Sequence, residues 1–563
     1  MTLESRLDHW SRGWRGPLLA ALVALVAALP AVFAVPPLDR DESRFAQATA
    51  QMLESEDYVS INFQDQPRDK KPVGIHWLQA ASVALLSDAA DRDIWPYRVP
   101  SLLGAMLAAA ACAWGASAFF GARTGLLAGA MLGASFLLST EGAIAKTDAV
   151  MAGSTALALA AMGRIWFSHR GGPPVGRRTR LLFWLGIGLA ILVKGPVGPV
   201  VALMAGLALW ASERKIDWAR SLGLSWGPLL VLAMVGPWAW AITVASDGTF
   251  WSTAIGEDMA PKLVGGHEEH GGLPGYHLLL SPMLTFPGCL LLPAGLIMAW
   301  KARTEPGVRF ALCWLIPTWL AFELLPTKLA HYTLPGHAAL FWLMAASLRE
   351  PLTGWGRRGG MLTLGFASLV FAATCIFGLV RYGDRGDLIW AVISAGLFLA
   401  TALVGGILIY RKSALTALVT AGSIGVLAHA VAFGQLAPRL EPLWLSQRIA
   451  LALEATGLAP RAGVVAGPVQ IAGYSEPSLI FALGTDTGLG GGAEAAKAVA
   501  DGRPAVVERS AQPQFLAALK AAGLSPRPAG AISGVDYSNA RDMTLTLYRG
   551  EPQPEPVQQR VEP

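Results

Sequence analysis

Between positions 39 and 77 the chain carries Asp39, Asp41 and Glu42, then Arg44, then Lys70 and Lys71 ahead of Pro72, then His76 and Trp77. Carboxylates beside ammonium groups can take a proton from an attacking group and hold an anionic leaving group. The stretch follows directly on an apolar run, residues 17–35, so its charges are pinned against a membrane surface. Ionisable groups are costly near hydrocarbon, and a cluster there marks a functional site by default. The plainer alternative is a solvated charged loop.

Asp41 and Glu42 are the candidate catalytic pair, one acting as general base or orienting group. Low-dielectric surroundings would raise a carboxylate's pKa and suit it to proton abstraction. Both also suit the first turn of a helix, where acids oppose the dipole. Asp39 competes for the same role and ranks below Asp41. Asp148 opens an apolar run after Lys146 and Thr147, either as a helix start or as a carboxylate facing Asp41. Lys71 before Pro72, and Lys194 before Gly195 and Pro196, put ammonium groups beside rigid backbone breaks where anions dock. Singly, each could be a lysine snorkelling to the interface. The compact polar stretch 326–335 adds Lys328, His331 and Tyr332, which could meet a phosphate or anchor at the interface. His267 and His270 flank Glu268 and Glu269, a weak divalent-cation candidate among glycines.

The elements that must position these groups are membrane helices. Of the 563 residues, 53% are hydrophobic and only 15% charged, more apolar surface than a soluble globule can bury. Apolar runs long enough for a bilayer core recur at 17–35, 97–120, 124–138, 149–167, 181–193, 197–211, 222–245, 283–300, 310–325, 334–348, 361–380, 388–410 and 414–435. That predicts about thirteen helices, with 181–193 and 197–211 as the alternative of one kinked span. Residues 17–35 read as a retained first helix rather than a cleaved signal peptide. The net charge of +5 comes without a basic face or a groove-reading motif, which argues against nucleic acid. Twenty Trp residues suit interfacial anchoring. Cys112, Cys289, Cys313 and Cys375 all fall inside predicted spans, so no disulfide framework is expected.

Arg and Lys alternate in density from loop to loop. A cytoplasmic N-terminus collects most of them inside, including Arg123, Arg164, Arg170, Arg214, Arg309 and Arg349. That orientation sends Asp39, Asp41, Glu42, Lys70, Lys71, His76, Lys146, Asp148, Lys194, Lys328, His331 and Tyr332 to the opposite, external face. Lys194 and Lys328 stand there against the inward trend for cations, as an anionic substrate would require.

The chain divides into a transmembrane domain, residues 1–436, an external α/β module, 437–550, and a Pro-, Gln- and Glu-rich tail, 551–563, expected to be disordered. The first external loop, 36–96, holds two amphipathic helical patterns, 41–53 and 75–86. In the module, 462–466, 505–508 and 543–548 read as strands, and 494–500 and 513–522 as helices.

The run Asp41, Glu42, Arg44, Phe45, Ala46, followed by Met52, Leu53, Lys71, Pro72 and Trp77, resembles the first external loop of C-type (GT-C) membrane glycosyltransferases. The subgroup comprises the bacterial lipid A 4-amino-4-deoxy-L-arabinose transferases and the related dolichyl-phosphate-mannose-type protein mannosyltransferases. Asp148 matches a second acidic position. Lys328, Tyr332 and Pro335 match a late Lys–Tyr–Pro feature, and Gly473, Tyr474, Ser475, Pro477, Ser478 and Phe481 resemble part of the family's external module. The resemblance implies a mainly α, polytopic GT-C-like fold with a small periplasmic α/β domain in a bacterial inner membrane. It implies inverting, metal-independent transfer of a sugar from a polyprenyl-phosphate donor to lipid A, lipopolysaccharide or another envelope glycan. Asp41, with Glu42 and Asp148, would then be catalytic. Lys71, Lys328, Tyr332 and Lys194 would bind the donor phosphate, and Asp39, Arg44, Lys70, His76 and His331 would contact sugar or acceptor. No cofactor is expected, and a divalent metal is the less favoured alternative. The approach to the Lys-Pro pair departs from the family: it reads Arg68, Asp69, Lys70, Lys71, and His76 precedes Trp77 where a Tyr is common. Protein O-glycosylation from the same donor, or transport of a lipid-linked sugar, are the competing readings. A transporter, however, should carry midplane charges and repeated halves, which the sequence lacks.

Overall fold

The computed structural model describes residues 2–261, 272–411, 413–460 and 467–551. In chain order the helices are α1 (Leu3–Trp10), α2 (Arg15–Ala34), α3 (Asp41–Ser55), α4 (Gly74–Leu86), α5 (Trp95–Phe120), α6 (Ala122–Ala134), α7 (Phe136–Gly142), α8 (Asp148–Ser168), α9 (Arg177–Lys194), α10 (Val197–Glu213) and α11 (Gly227–Ala245). There follow α12 (Tyr276–Leu284), α13 (Leu292–Lys301), α14 (Pro306–Leu324), α15 (Leu334–Ala346), α16 (Gly354–Tyr382), α17 (Leu388–Tyr410) and α18 (Ala414–Val431).

Each of the thirteen predicted spans falls on helix, but they are not thirteen equal crossings. Among the described residues eight helices are long and apolar enough to cross a membrane, or ten if two bent pairs each count as one. The pair α6 and α7 bends by 61°, and α12 with residues 288–301 by 115°. Pro287 and the short turn of residues 288–291 account for the second break, because the helix ladder cannot run through them. The Gly195-Pro196 break separates α9 from α10, so these are two helices rather than one kinked span. α15 has every residue buried. A helix apolar all round belongs inside the bundle, and α15 is its central post.

Small residues set the helix spacing around the site. Gly104 of α5 and Gly153 of α8 meet so closely that a Cβ on Gly104 would lie 2.6 Å from Val150 backbone, and one on Gly153 2.4 Å from the Gly104 carbonyl oxygen. Close backbone approach through glycine is how helices associate where lipid removes the hydrophobic driving force. It fixes the start of α8, and so Asp148, against α5.

The first loop carries α3 and α4 packed on each other, with the short hairpin of β1 (Asn62–Phe63) and β2 (Gln66–Pro67) between them. The two amphipathic patterns are thus both helices. The C-terminal module begins with α19 (Leu445–Ala455). It continues with β3 (Gln470–Ala472), α20 (Pro477–Leu483), β4 (Gly488–Gly490), α21 (Gly492–Ala500), β5 (Ala505–Glu508), α22 (Gln512–Ala521), β6 (Pro528–Asp536) and β7 (Arg541–Tyr548). The sheet order is β4-β3-β5-β7-β6, parallel across β4-β3-β5 and antiparallel across β5-β7-β6. The predicted 505–508 and 543–548 strands and both predicted helices are present. The predicted strand 462–466 and the tail beyond 551 lie outside the described residues. β6 is long but buries only three of its nine residues, so its sequence lacks the apolar alternation that would have announced it.

The module is fastened to the first loop by a shared apolar core. Phe481 of α20 packs with Ala46 and Ala50 of α3, Val83 of α4, Ile94 and Tyr97.

Candidate functional site

Glu42 and Arg98 hold the site's frame. The Glu42 carboxylate accepts from Arg98 Nε and Nη2 at 2.8 Å each, from the Ala145 amide at 2.7 Å and from the Leu38 amide at 2.8 Å. Arg98 also donates to the carbonyls of Val32, Val35 and Pro36 at the end of α2. Both side chains are buried. A bidentate, fully hydrogen-bonded pair of this kind ties four segments together. It leaves Glu42 no free oxygen for substrate, so its predicted catalytic role is corrected to a structural one.

Asp41 is the first residue of α3 and is exposed. Its charge supports two cations on different segments, Arg68 and Lys146. On the Arg68 side, the guanidinium lies 4.5 Å over the Phe45 ring. Burial, and then Arg44, lower its pKa to about 10, opposed by Asp41 and Asp258. Lys71 sits beside it, with Nζ 2.6 Å from Asp258.

On the other side lies a buried polar cluster at the mouth of the bundle. Lys194, the last residue of α9, meets Asp148, the first of α8, at 2.5 Å. Lys146 lies 2.9 Å from Glu141 and 3.8 Å from Asp148. His331 stands 3.5 Å from Asp148 and 3.7 Å from Glu141. Burial pushes the His331 pKa down to about 3, so the ring is neutral near pH 7. The neighbouring carboxylates push Lys146 upward against its burial. The ligand atoms of Glu141, Asp148 and His331 all fall within 4.8 Å of one another, close enough to share a cation. The two ammonium groups already balance the two carboxylates, so a divalent ion would have to displace them. His267 and His270, the predicted metal candidates, lie outside the described residues.

Two further predictions are corrected. Asp39 is taken up by the C-terminal module: its carboxylate accepts from Ser478, and its backbone amide donates to Tyr537 Oη at 2.7 Å. Burial raises its pKa to about 7, with Glu476 and Asp536 adding to the rise and Ser478 opposing it. His76 is buried between α3 and α4, 2.8 Å from Thr49 Oγ1 and against Phe45, with its pKa lowered to about 3 by burial and Arg68. It packs the loop helices together. The Lys328 ammonium donates to the carbonyls of Glu323 and Leu325 at 2.6 and 2.8 Å. A cation there caps the end of α14. Tyr332 is half-buried beside Phe322 and His331. Arg44 is half-buried and acts on Arg68 and Glu476, and Lys70 is exposed.

Sequence reasoning missed Arg68 as a site cation, and Arg98, Glu141 and Asp258 altogether. Arg98 and Glu141 carried a usable signal, since each is a charge at the end of an apolar run. Asp258 did not, because only the fold brings it to Lys71.

The backbone just before Asp41 is unusual. Arg40 has φ 60° and ψ −106°, a region normally left to glycine, at a cost of about 1–3 kcal/mol for other residues.

Comparison with known proteins supplies the context. Residues 70–240 match the family described as Dolichyl-phosphate-mannose-protein mannosyltransferase. A curated relative in Pseudomonas paraeruginosa, named undecaprenyl phosphate-alpha-4-amino-4-deoxy-L-arabinose arabinosyl transferase, is 29% identical over 59% of this chain and 60% of its own. A protein of the same name in Pectobacterium carotovorum is 28% identical over 60% and 61%. The chain thus spans about 60% of the length of these relatives. Crystal structures of ArnT from Cupriavidus metallidurans share the fold: the apo form at 20% identity and TM-score 0.74, covering 95% of this chain and 98% of that one. The form bound to undecaprenyl phosphate gives 19% and 0.75, covering 95% and 99%.

Proposed function

We propose that this multi-pass membrane protein is a C-type membrane glycosyltransferase of the lipid A arabinose transferase kind, which transfers a sugar from a polyprenyl-phosphate donor. The acceptor is lipid A or another envelope glycan, at the external face of a bacterial inner membrane, with the N-terminus cytoplasmic and the C-terminal module periplasmic. The observation that carries the reading is the placement of Asp41. It is an exposed carboxylate whose charge supports Arg68 of the first loop and Lys146, which lies beside Asp148 and Lys194. The relatives' names and the undecaprenyl phosphate in one solved neighbour support the donor class.

In the proposed step the acceptor oxygen attacks the anomeric carbon. The bond from that carbon to the donor phosphate oxygen breaks, and polyprenyl phosphate leaves with the electron pair. Negative charge grows on the phosphate, and fixed cations lower the barrier where they face it. Arg68, Lys71 and Lys194 are the groups placed to do so, each already held by a carboxylate or a ring that fixes its position. Asp41 orients the acceptor and, if that is a hydroxyl, takes its proton. A phosphate acceptor arrives ionised and needs only the orientation.

Asp41→Asn, at normal membrane levels, should abolish sugar transfer, read by mass spectrometry of lipid A and envelope glycans from cells with and without the protein. Full transfer by that variant removes the assignment. An envelope unchanged by deletion of the protein favours a transport or structural role. A modified glycoprotein with unmodified lipid A selects the protein-acceptor reading, which the mannosyltransferase family match favours.

A further inference from the structure

Residues 35–40 join the end of α2 to the start of α3, and the C-terminal module grips Asp39 and Arg40. Arg40 Nη2 donates to the Ser538 carbonyl at 3.1 Å and to Asn539 Oδ1 at 3.0 Å. One residue earlier, the Asp39 amide and carboxylate are held by Tyr537 and Ser478. The gripping turn is itself braced: Asp536 accepts from the Ser538 amide at 3.1 Å and from Asn539 Nδ2 at 2.9 Å. Ser478 is backed by Ser446, and Ser446 by Tyr474.

What is gripped is strained. Arg40 occupies the backbone conformation of the first central residue of a type II′ turn, a glycine position. An arginine persists there only where its surroundings over-determine it. The very next residue is Asp41, and the Arg40 carbonyl accepts the first helical bond, from the Arg44 amide at 3.0 Å. The direction in which α3 begins, and so the direction of Asp41, follows from the Arg40 dihedrals. The module's attachment does not depend on this grip, because the Phe481 core holds it independently.

We propose that the C-terminal module is a positioning element for the cleft, its 537–539 turn holding Arg40 in a glycine-like conformation that aims Asp41 at the substrate. This rests on the reading of Asp41 as the carboxylate that meets the acceptor. Arg40 is a positioning residue: it acts through the backbone of Asp41 and not on substrate.

Substitution at Arg40 separates this role from a merely structural or electrostatic one. In the full-length protein in lipid nanodiscs, Arg40→Ala keeps the strain and loses the grip. Its kcat should fall about tenfold or more, with donor KM unchanged. Arg40→Gly loses the same charge but adopts the conformation unaided, and should recover most of the loss. An Arg40→Ala protein as active as the parent overturns the proposal, as does an Arg40→Gly protein no better than Arg40→Ala. Amide hydrogen exchange reads the grip without activity. Asn539→Ala should speed exchange over residues 38–44 about tenfold, about one decade of local opening, while β7 amides keep their rates. Unchanged exchange there shows no grip and overturns the proposal. Accelerated exchange together with a fully active Asp41→Asn protein keeps the grip but removes its target, which separates failure of the functional reading from failure of this one.

Discussion

Glu42 is enclosed, with its carboxylate taken by Arg98 and by the backbone amides of residues 145 and 38, whereas Asp41, one residue earlier, opens to solvent between Arg68 and Lys146. Both Glu42 carboxylate oxygens have fixed partners inside the protein. Around Asp41 the cations come from separate segments and meet at a mouth. Two adjacent acids, about 100° apart on the same helical turn, are thus divided between architecture and chemistry. A buried, satisfied charge serves shape. An exposed one near cations from two segments is free to meet a ligand.

The contrast breaks most visibly at its two poles. Asp41→Asn should lower turnover by about 100-fold or more, within the range of general acid–base effects, and leave thermal stability unchanged, measured by turnover and melting in the same preparation. Arg98→Met should do the reverse, since leaving Glu42 buried without its partner costs about 3–5 kcal/mol. The folded yield in membranes should collapse, read by in-gel fluorescence of a tagged protein. Lys194→Met probes the boundary between the two regions. It removes a partner from Asp148 and a cation from the mouth, so turnover and stability should both fall, each less than in the first two cases.

A smaller effect sharpens the comparison through pH. Asp39 has its pKa raised to about 7 where it meets Ser478, Tyr474, Tyr537, Glu476 and Asp536, with Arg40 and Arg44 acting on Glu476 from the α3 side. A carboxyl raised in the folded state contributes stability that is complete below its ordinary value of 3.8 and is lost as pH rises through about 7. The ionised carboxylate then repels Glu476 and Asp536. Attachment of the loop to the module should therefore loosen above pH 7, visible as faster amide exchange at residues 38–44. Asp39→Asn should flatten that dependence. A wild-type profile level from pH 5 to pH 9 would show that Asp39 does not titrate in this interface.

Much of this was legible in the residues. Among the described residues, apolar runs found every helix long and apolar enough to cross a membrane, because a stretch of about 20 apolar residues has few other stable fates. The separation of charges by side put Asp41, Lys71, Lys146, Asp148, Lys194 and His331 on one face, and the structure brings Lys146, Asp148, Lys194 and His331 into one cluster. What could not be read was direction. Adjacent acids look alike until Arg98, 56 positions on from Glu42, chooses one of them. Asp39 and Asp41 likewise differ only because the module covers the first. Lys328 carries the right charge in the right loop, but the nearest unsatisfied carbonyls at the end of α14 take it.

The most direct test is a paired measurement on Asp41→Asn and Glu42→Gln: melting temperature, and turnover of a polyprenyl-phosphate sugar per folded molecule. The predicted result is a crossing, with Asp41→Asn as stable as the parent and inactive, and Glu42→Gln less stable yet active in proportion to what remains folded. A stable, inactive Glu42→Gln beside an active Asp41→Asn would reverse the assignment of the two carboxylates and contradict the account.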